Sequence, residues 1–182
     1  MRKFFASALE IFEVAIVAVG AVFLIRSFLI QPFLVSGSSM VPNFSNGDYL
    51  LIDEVTYRFR APERGEVVIF KYPNSPSTYF IKRIVGLPGE EVDISNNKIT
   101  VFSKSNPNGS TLAESYLLKS IYTAGSYKFQ LKADEYLMLG DNRSYSFDSR
   151  NWGPLKADYI VGLARLRLWP VTDFSAFAAP QY

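Results

Sequence analysis

Hydrophobic positions in this chain fall into two regimes. From Phe4 to Phe28 the residues are apolar except for Ser7, Glu10, Glu13, Arg26 and Ser27. Beyond Phe33 they come in short runs rich in Val, Ile, Tyr and Phe, separated by turn signals such as Asn46-Gly47-Asp48, Pro88-Gly89 and Asn106-Pro107-Asn108-Gly109. The first regime predicts one N-terminal transmembrane helix. Its charge-free centre, Val14 to Ile25, is twelve residues, about 18 Å of helix against roughly 30 Å of hydrocarbon. The span therefore draws on its flanks, with Arg26 snorkelling outward and Glu10 and Glu13, on one helical face, toward the inner end. A cleaved leader does not fit, because the apolar stretch runs on to Val35 without a polar region or small-residue cleavage site. Arg2 and Lys3, with no further Lys or Arg before Arg26, place the N-terminus inside and the remainder outside.

The second regime predicts a mainly β, antiparallel domain. Strands are expected at Tyr49–Asp53, Glu66–Tyr72, Tyr79–Val85, Glu91–Ile94, Lys98–Phe102, Tyr127–Leu131, Tyr136–Leu139 and Ile160–Leu168. The stretch from Ser103 to Ser126 carries many Ser and Asn residues and reads as a long hairpin loop or small subdomain. The division is an anchor over residues 1–32 and a folded domain over 33–182, with a less patterned insert at about 91–135.

Charge and composition narrow the chemistry. A net charge of +2, without a basic block, gives no footprint for a nucleic-acid partner. The chain has no histidine and no cysteine, which excludes a disulfide, a thiolate or histidine metal site and a histidine-based triad. Nucleophilic chemistry must use Ser, Thr, Lys, Tyr or a carboxylate. No feature bears on oligomeric state.

Four segments stand out for an enzyme without histidine: Ser36-Gly37-Ser38-Ser39-Met40-Val41-Pro42; Arg64 to Phe70; Ile81-Lys82-Arg83 through Gly86-Leu87-Pro88-Gly89; and Gly140-Asp141-Asn142-Arg143 through Gly153. Each alone has an ordinary explanation as a linker, a solvated charge or a turn. Lys82 departs from its ordinary explanation, because Ile81, Ile84 and Val85 surround a cation on a strand whose other residues favour burial. Burial disfavours the ammonium form, and lowering a lysine pKa from about 10.4 to about 8 costs roughly 3 kcal/mol. A neutral lysine can take a proton from a serine hydroxyl. Ser39, at the end of a glycine-containing loop where backbone can approach a substrate carbonyl, is the natural partner.

Together and in this order, the four segments resemble the boxes of bacterial type I signal peptidases, Ser/Lys serine proteases that remove signal peptides from exported preproteins. The resemblance covers roughly Phe33 to Pro170. It implies that Ser39 attacks, that Lys82 is the general base, that Ser146 orients the base by a hydrogen bond, and that Asp148 and Arg150 form a structural ion pair. Asp141, Asn142 and Arg143 fall to support. It further implies an antiparallel β scaffold with an extra β-ribbon. The substrate would lie as an extended strand with small residues at −1 and −3, its pockets lined by Val35, Met40, Ile69, Phe80 and Ile81. No cofactor and no metal enter. Location at the bacterial cytoplasmic membrane, single-pass, with the catalytic domain outside, completes the expectation, with signal peptides and the lipid bilayer as partners.

The sequence also departs from the pattern. Gly37 stands where some members place a hydroxyl two residues before the nucleophile, leaving the oxyanion to the Ser39 N–H and to what Gly37, Ser36 or Ser38 supplies. Ser144, Tyr145 and Asn43 replace residues more frequent in the family. Two other readings are a Ser/Lys peptidase dedicated to one secretion or pilus assembly system, and a non-catalytic membrane-tethered β module.

Overall fold

Strand patterning decides most of the architecture. The computed structural model describes residues 10–20 and 30–180. Helix α1 covers residues 10–20, so the expected span from Phe4 to Phe28 lies largely outside the described residues. Among the described residues, no helix is long and apolar enough to cross a membrane.

The strands are β1 (Ile30–Leu34), β2 (Tyr49–Asp53), β3 (Val67–Tyr72), β4 (Ser75–Gly86), β5 (Glu91–Ser95), β6 (Lys98–Phe102), β7 (Ser110–Thr111), β8 (Tyr127–Gln130), β9 (Glu135–Leu139), β10 (Leu155–Lys156), β11 (Ile160–Trp169) and β12 (Ser175–Ala176). A short helix α2 (Ser149–Trp152) follows β9. The large sheet runs β1-β2-β11-β3-β4-β9-β10, with β12 on β11, and the small sheet runs β7-β6-β5-β8. The strand pairs of both sheets are antiparallel.

All eight expected strands form, with ends shifted by a few residues. β2, β5 and β6 alternate buried with half-exposed positions, as strands with one covered face should. The centre of the large sheet is covered on both faces. Val67 and Ile69 of β3 pack with Met40, Phe44, Leu50 and Ile81, while Val68 and Phe70 pack on the other side with Ile84, Tyr136 and Met138. This is why β3 reads as an unbroken apolar run.

The small sheet docks through Val92, Ile94, Ile99 and Val101 onto Val85, Leu137 and Leu139. Gly86 sits at that seam, where a Cβ would fall within 2.9 Å of Leu131, Val92 and Leu137 side chains. Asn96 and Asn97, both with positive φ, close the β5–β6 hairpin in two residues, the backbone a tight hairpin of this twist requires.

Candidate active site

The loop between β1 and β2 carries Ser39, and its fixing is local. Val35 N–H donates to Asp48 O and Gly47 N–H to Val35 O, both at 2.9 Å. Met40 and Phe44 plug the loop into the core at 1% exposure each. Gly37 adopts φ +101°, left-handed backbone that suits glycine, and its N–H donates to Asn46 Oδ1 at 2.9 Å. That bond corrects the expectation for Gly37: its amide is engaged within the loop and is not an open oxyanion donor. The Ser39 N–H donates to no group among the described residues, which leaves it as the backbone donor beside the hydroxyl.

Lys82 enters from β4, where Phe80, Lys82 and Ile84 share one face and Ile81 and Arg83 the other. Its Nζ stands 2.7 Å from Ser39 Oγ and 3.0 Å from Ile81 O. Phe80 lies beneath it, with the ring centroid 5.4 Å from Nζ. Lys82 is 4% exposed, and burial lowers its pKa to about 8 against the opposing fields of Asp148 and Asp141.

The neighbouring cation shows why the two differ. Arg83, on the opposite face, is held bidentately by Asp141 at 2.8 and 2.6 Å and donates to Gly65 O at 2.7 Å. A guanidinium stays charged and needs such a partner when buried. Lys82 forms no ion pair among the described residues, so burial can move its proton. Asn43 adds a further donor to Asp141 Oδ2 at 2.8 Å.

The segment after β9 closes the site from the other side. Asn142 N–H donates to Ser39 O at 2.9 Å, and its side-chain amide donates to Ser38 O at 3.0 Å. Asp148 caps α2 and accepts from Arg150 Nε and Nη2 at 2.9 and 2.8 Å, while Gly140 N–H donates to its Oδ2 at 3.1 Å. Asp148 and Arg150 thus form a largely buried ion pair. Ser146 differs from expectation: its buried Oγ has no hydrogen-bond partner among the described residues, so the bond it was expected to make to Lys82 is not formed. It packs instead against Gly140, whose missing Cβ makes room for it.

A cleft of about 440 Å³ opens over the pair, lined by Phe33, Leu34, Ser36 to Ser39, Tyr79 to Lys82, Tyr145 and Phe147. Of the five expected pocket residues, Phe80 and Ile81 line this cleft. Val35 and Met40 are buried in the core behind it. Ile69 is buried as well, and touches only an adjacent hollow of about 160 Å³ that shares Phe33 and Tyr79 with the cleft. A second cavity, of about 280 Å³ and lined by Phe44, Arg83 and Tyr116 among others, contains neither Ser39 nor Lys82.

A sequence model described as signal peptidase, peptidase S26, matches residues 8–169. This chain belongs to that family. The signal peptidase relatives span most of its length. It is 38% identical over 169 residues to a probable signal peptidase I-2 of Synechocystis sp., covering 90% of this chain and 74% of that protein. It is 34% identical to signal peptidase I of Leptolyngbya laminosa, covering 86% and 77%. It is 30% identical to signal peptidase IB of Staphylococcus aureus, covering 87% of each.

Residues to which the resemblance gives no role also shape this signal peptidase site. Asn43 and Asn46 tie down the Ser39 loop, and Glu114, Tyr116 and Thr123 reach Arg143 from the insert. A conservative change at the seam has a clear expected outcome. A Cβ at residue 140 would fall 2.5 Å from Ser39 O and clash with Ser146. Gly140→Ala is expected to cost about 1–3 kcal/mol of stability, as overpacking does, and to lower kcat by displacing Ser39. Thermal unfolding and turnover of the same sample check both.

Proposed function

We propose that this signal peptidase is a membrane-anchored serine endopeptidase that removes signal peptides by acyl transfer to Ser39 and then to water, with Lys82 as the general base. The observation that carries the reading is a buried lysine, its pKa lowered to about 8, with Nζ 2.7 Å from a serine hydroxyl in a cleft. Neutral Lys82 takes the Ser39 proton as Oγ attacks the scissile carbonyl carbon. The tetrahedral oxyanion is met by the Ser39 N–H. Lys82 then gives its proton to the leaving amine as the C–N bond breaks, and water hydrolyses the ester. Asp141, Asp148, Arg143 and Arg150 hold the frame around the pair.

An extended peptide fits a cleft walled by the β1 end and β4, with alternate side chains facing in. Small residues at −1 and −3 suit the floor that Phe80 and Ile81 provide. The N-terminal anchor over residues 1–32, with the peptidase domain over 33–182 outside the bacterial cytoplasmic membrane, completes the reading. Two features support the bilayer. Ile11, Phe12, Val14, Ile16, Val17 and Val19 of α1 are all exposed, so apart from Glu10 and Glu13 the helix presents an apolar surface. Leu34, which lines the cleft, meets Tyr49 and Trp169 at one end of the large sheet, and all three, with Val171 and Phe174 just beyond, are exposed.

The test is cleavage of a preprotein series varied at −1 and −3, with the new N-terminus sequenced at each pH. Alanine at both positions should be cut and bulky residues refused, and kcat/KM should rise with pH through about 8 as Lys82 loses its proton. Cutting without preference for small residues, or a rate flat through that pH, would overturn the reading.

A further inference from the structure

Residues 113–123 run from β7 toward β8 of the small sheet, yet Glu114, Tyr116 and Thr123 bond to Arg143, in the turn that follows β9 of the large one. Arg143, at 2% exposure, donates from Nη1 to Glu114 Oε2 at 2.9 Å and from Nη2 to the Tyr116 hydroxyl at 3.1 Å. It also contacts Glu114 Oε1 and Thr123 Oγ1, and its Nε donates to Gly140 O at 3.0 Å. The Tyr116 hydroxyl in turn donates to Glu114 Oε1 at 2.6 Å. Its ring lies 4.0 Å from the Arg83 guanidinium, and its carbonyl accepts from Asn43 at 3.0 Å. One residue before Arg143, Asn142 holds the carbonyls of Ser38 and Ser39.

We propose that Glu114 is a positioning residue for the nucleophile, acting through Arg143 and Asn142, so that the small-sheet insert latches the Ser39 loop in its reactive place. The inference rests on Ser39 being the nucleophile. The physical case is one of constraint. Arg143 is spanned by a carboxylate on one side and the Gly140 carbonyl on the other, so the turn 140–143 has little freedom. Asn142 belongs to that turn and grips the serine backbone on both sides of the Ser38–Ser39 peptide. Loosening the carboxylate end frees the turn, and a serine oxygen displaced by a fraction of an ångström loses its line to the lysine and the carbonyl.

The experiment is a double-mutant cycle on the full chain in detergent, following preprotein cleavage by wild type, Glu114→Gln, Asn142→Ala and the pair. Each single change should lower kcat about tenfold or more with KM within about twofold, and the pair should lose no more than the worse single, since both act on one geometry. The acid limb near 8 should stay in place, because neither residue touches Lys82. Losses that multiply in the pair, or an unchanged kcat in Glu114→Gln, would overturn the latch. Should Glu114→Gln fail to fold, Tyr116→Phe, which deletes one hydroxyl, takes its place in the cycle with the same criteria. Ser39→Ala run alongside separates the two ideas: a variant that still cuts removes the nucleophile reading, whereas a dead one with multiplying losses removes the latch alone.

Discussion

Lys82→Met should lose nearly all cleavage while gaining stability at neutral pH. Removing the base of a coupled nucleophile pair typically costs about 10⁴-fold or more in kcat, and methionine supplies neither the proton acceptor nor a leaving-group acid. The stability gain follows from the same burial. The lysine pKa falls from 10.5 in the unfolded chain to about 8 in the folded one, so below about 8 both states carry the proton and the folded state bears the cost of a buried charge. That cost is about 3 kcal/mol, from about 1.36 kcal/mol for each pH unit between the two values. It fades as pH rises from 8 toward 10.5, where both states become neutral. Methionine, similar in length and apolar, removes it throughout. Urea unfolding of wild type and Lys82→Met at about pH 7 and about pH 10.5 checks the sign: a gap that closes with rising pH is expected, less what the lost Ser39 contact returns.

Asp141→Ala should be among the most damaging substitutions outside the reacting pair. Asp141 is wholly buried and receives two bonds from Arg83, itself 5% exposed, and one from Asn43. Taking one partner from a buried pair leaves an uncompensated charge, at about 3–5 kcal/mol. Denaturant unfolding should show that loss, and cleavage should fall with it, since β4 carries Arg83 and Lys82 side by side. Replacing both members, as in Arg83→Met with Asp141→Leu, should recover much of the stability, because paired apolar groups avoid the desolvation that the ion pair only offsets. A single replacement with wild-type stability would mean that the pair sits in far wetter surroundings than its burial indicates.

The contrast between these two cations also shows what could be read in advance. Lys82 was legible because a cation stood inside an apolar run, and burial acts on any such group whatever its distant neighbours are. Arg83 stood in the same run, yet its partner is 58 residues away, and no periodicity links the two. The same holds for Arg143 and Glu114. A buried ion pair between loops leaves no repeating signature, so the segment from Ser103 to Ser126 gave no sign of its role.

Strands with a covered face were legible from alternation, and those buried on both faces from continuous apolar runs. β1 was hidden because Ile30 to Leu34 continues the apolar texture of the segment before it. The two-residue strands β7, β10 and β12 are too short to carry a period. Spacing likewise could not separate residues that face the cleft from those behind it. Val35, Met40 and Ile69 have the same apolar character as Ile81, and only the path of the Ser39 loop and the position of β3 beside β4 decide which of them reaches the cleft.

The central claim is that Ser39 and Lys82 carry out the cleavage, and one comparison tests it most directly. Wild type, Ser39→Ala and Lys82→Ala are each mixed with a preprotein in detergent or lipid, their folding verified by circular dichroism, and the products sequenced from the new N-terminus. The account predicts that wild type cuts once, after a small residue, and that both variants stay folded and leave the preprotein intact. Equal cleavage by all three would contradict it.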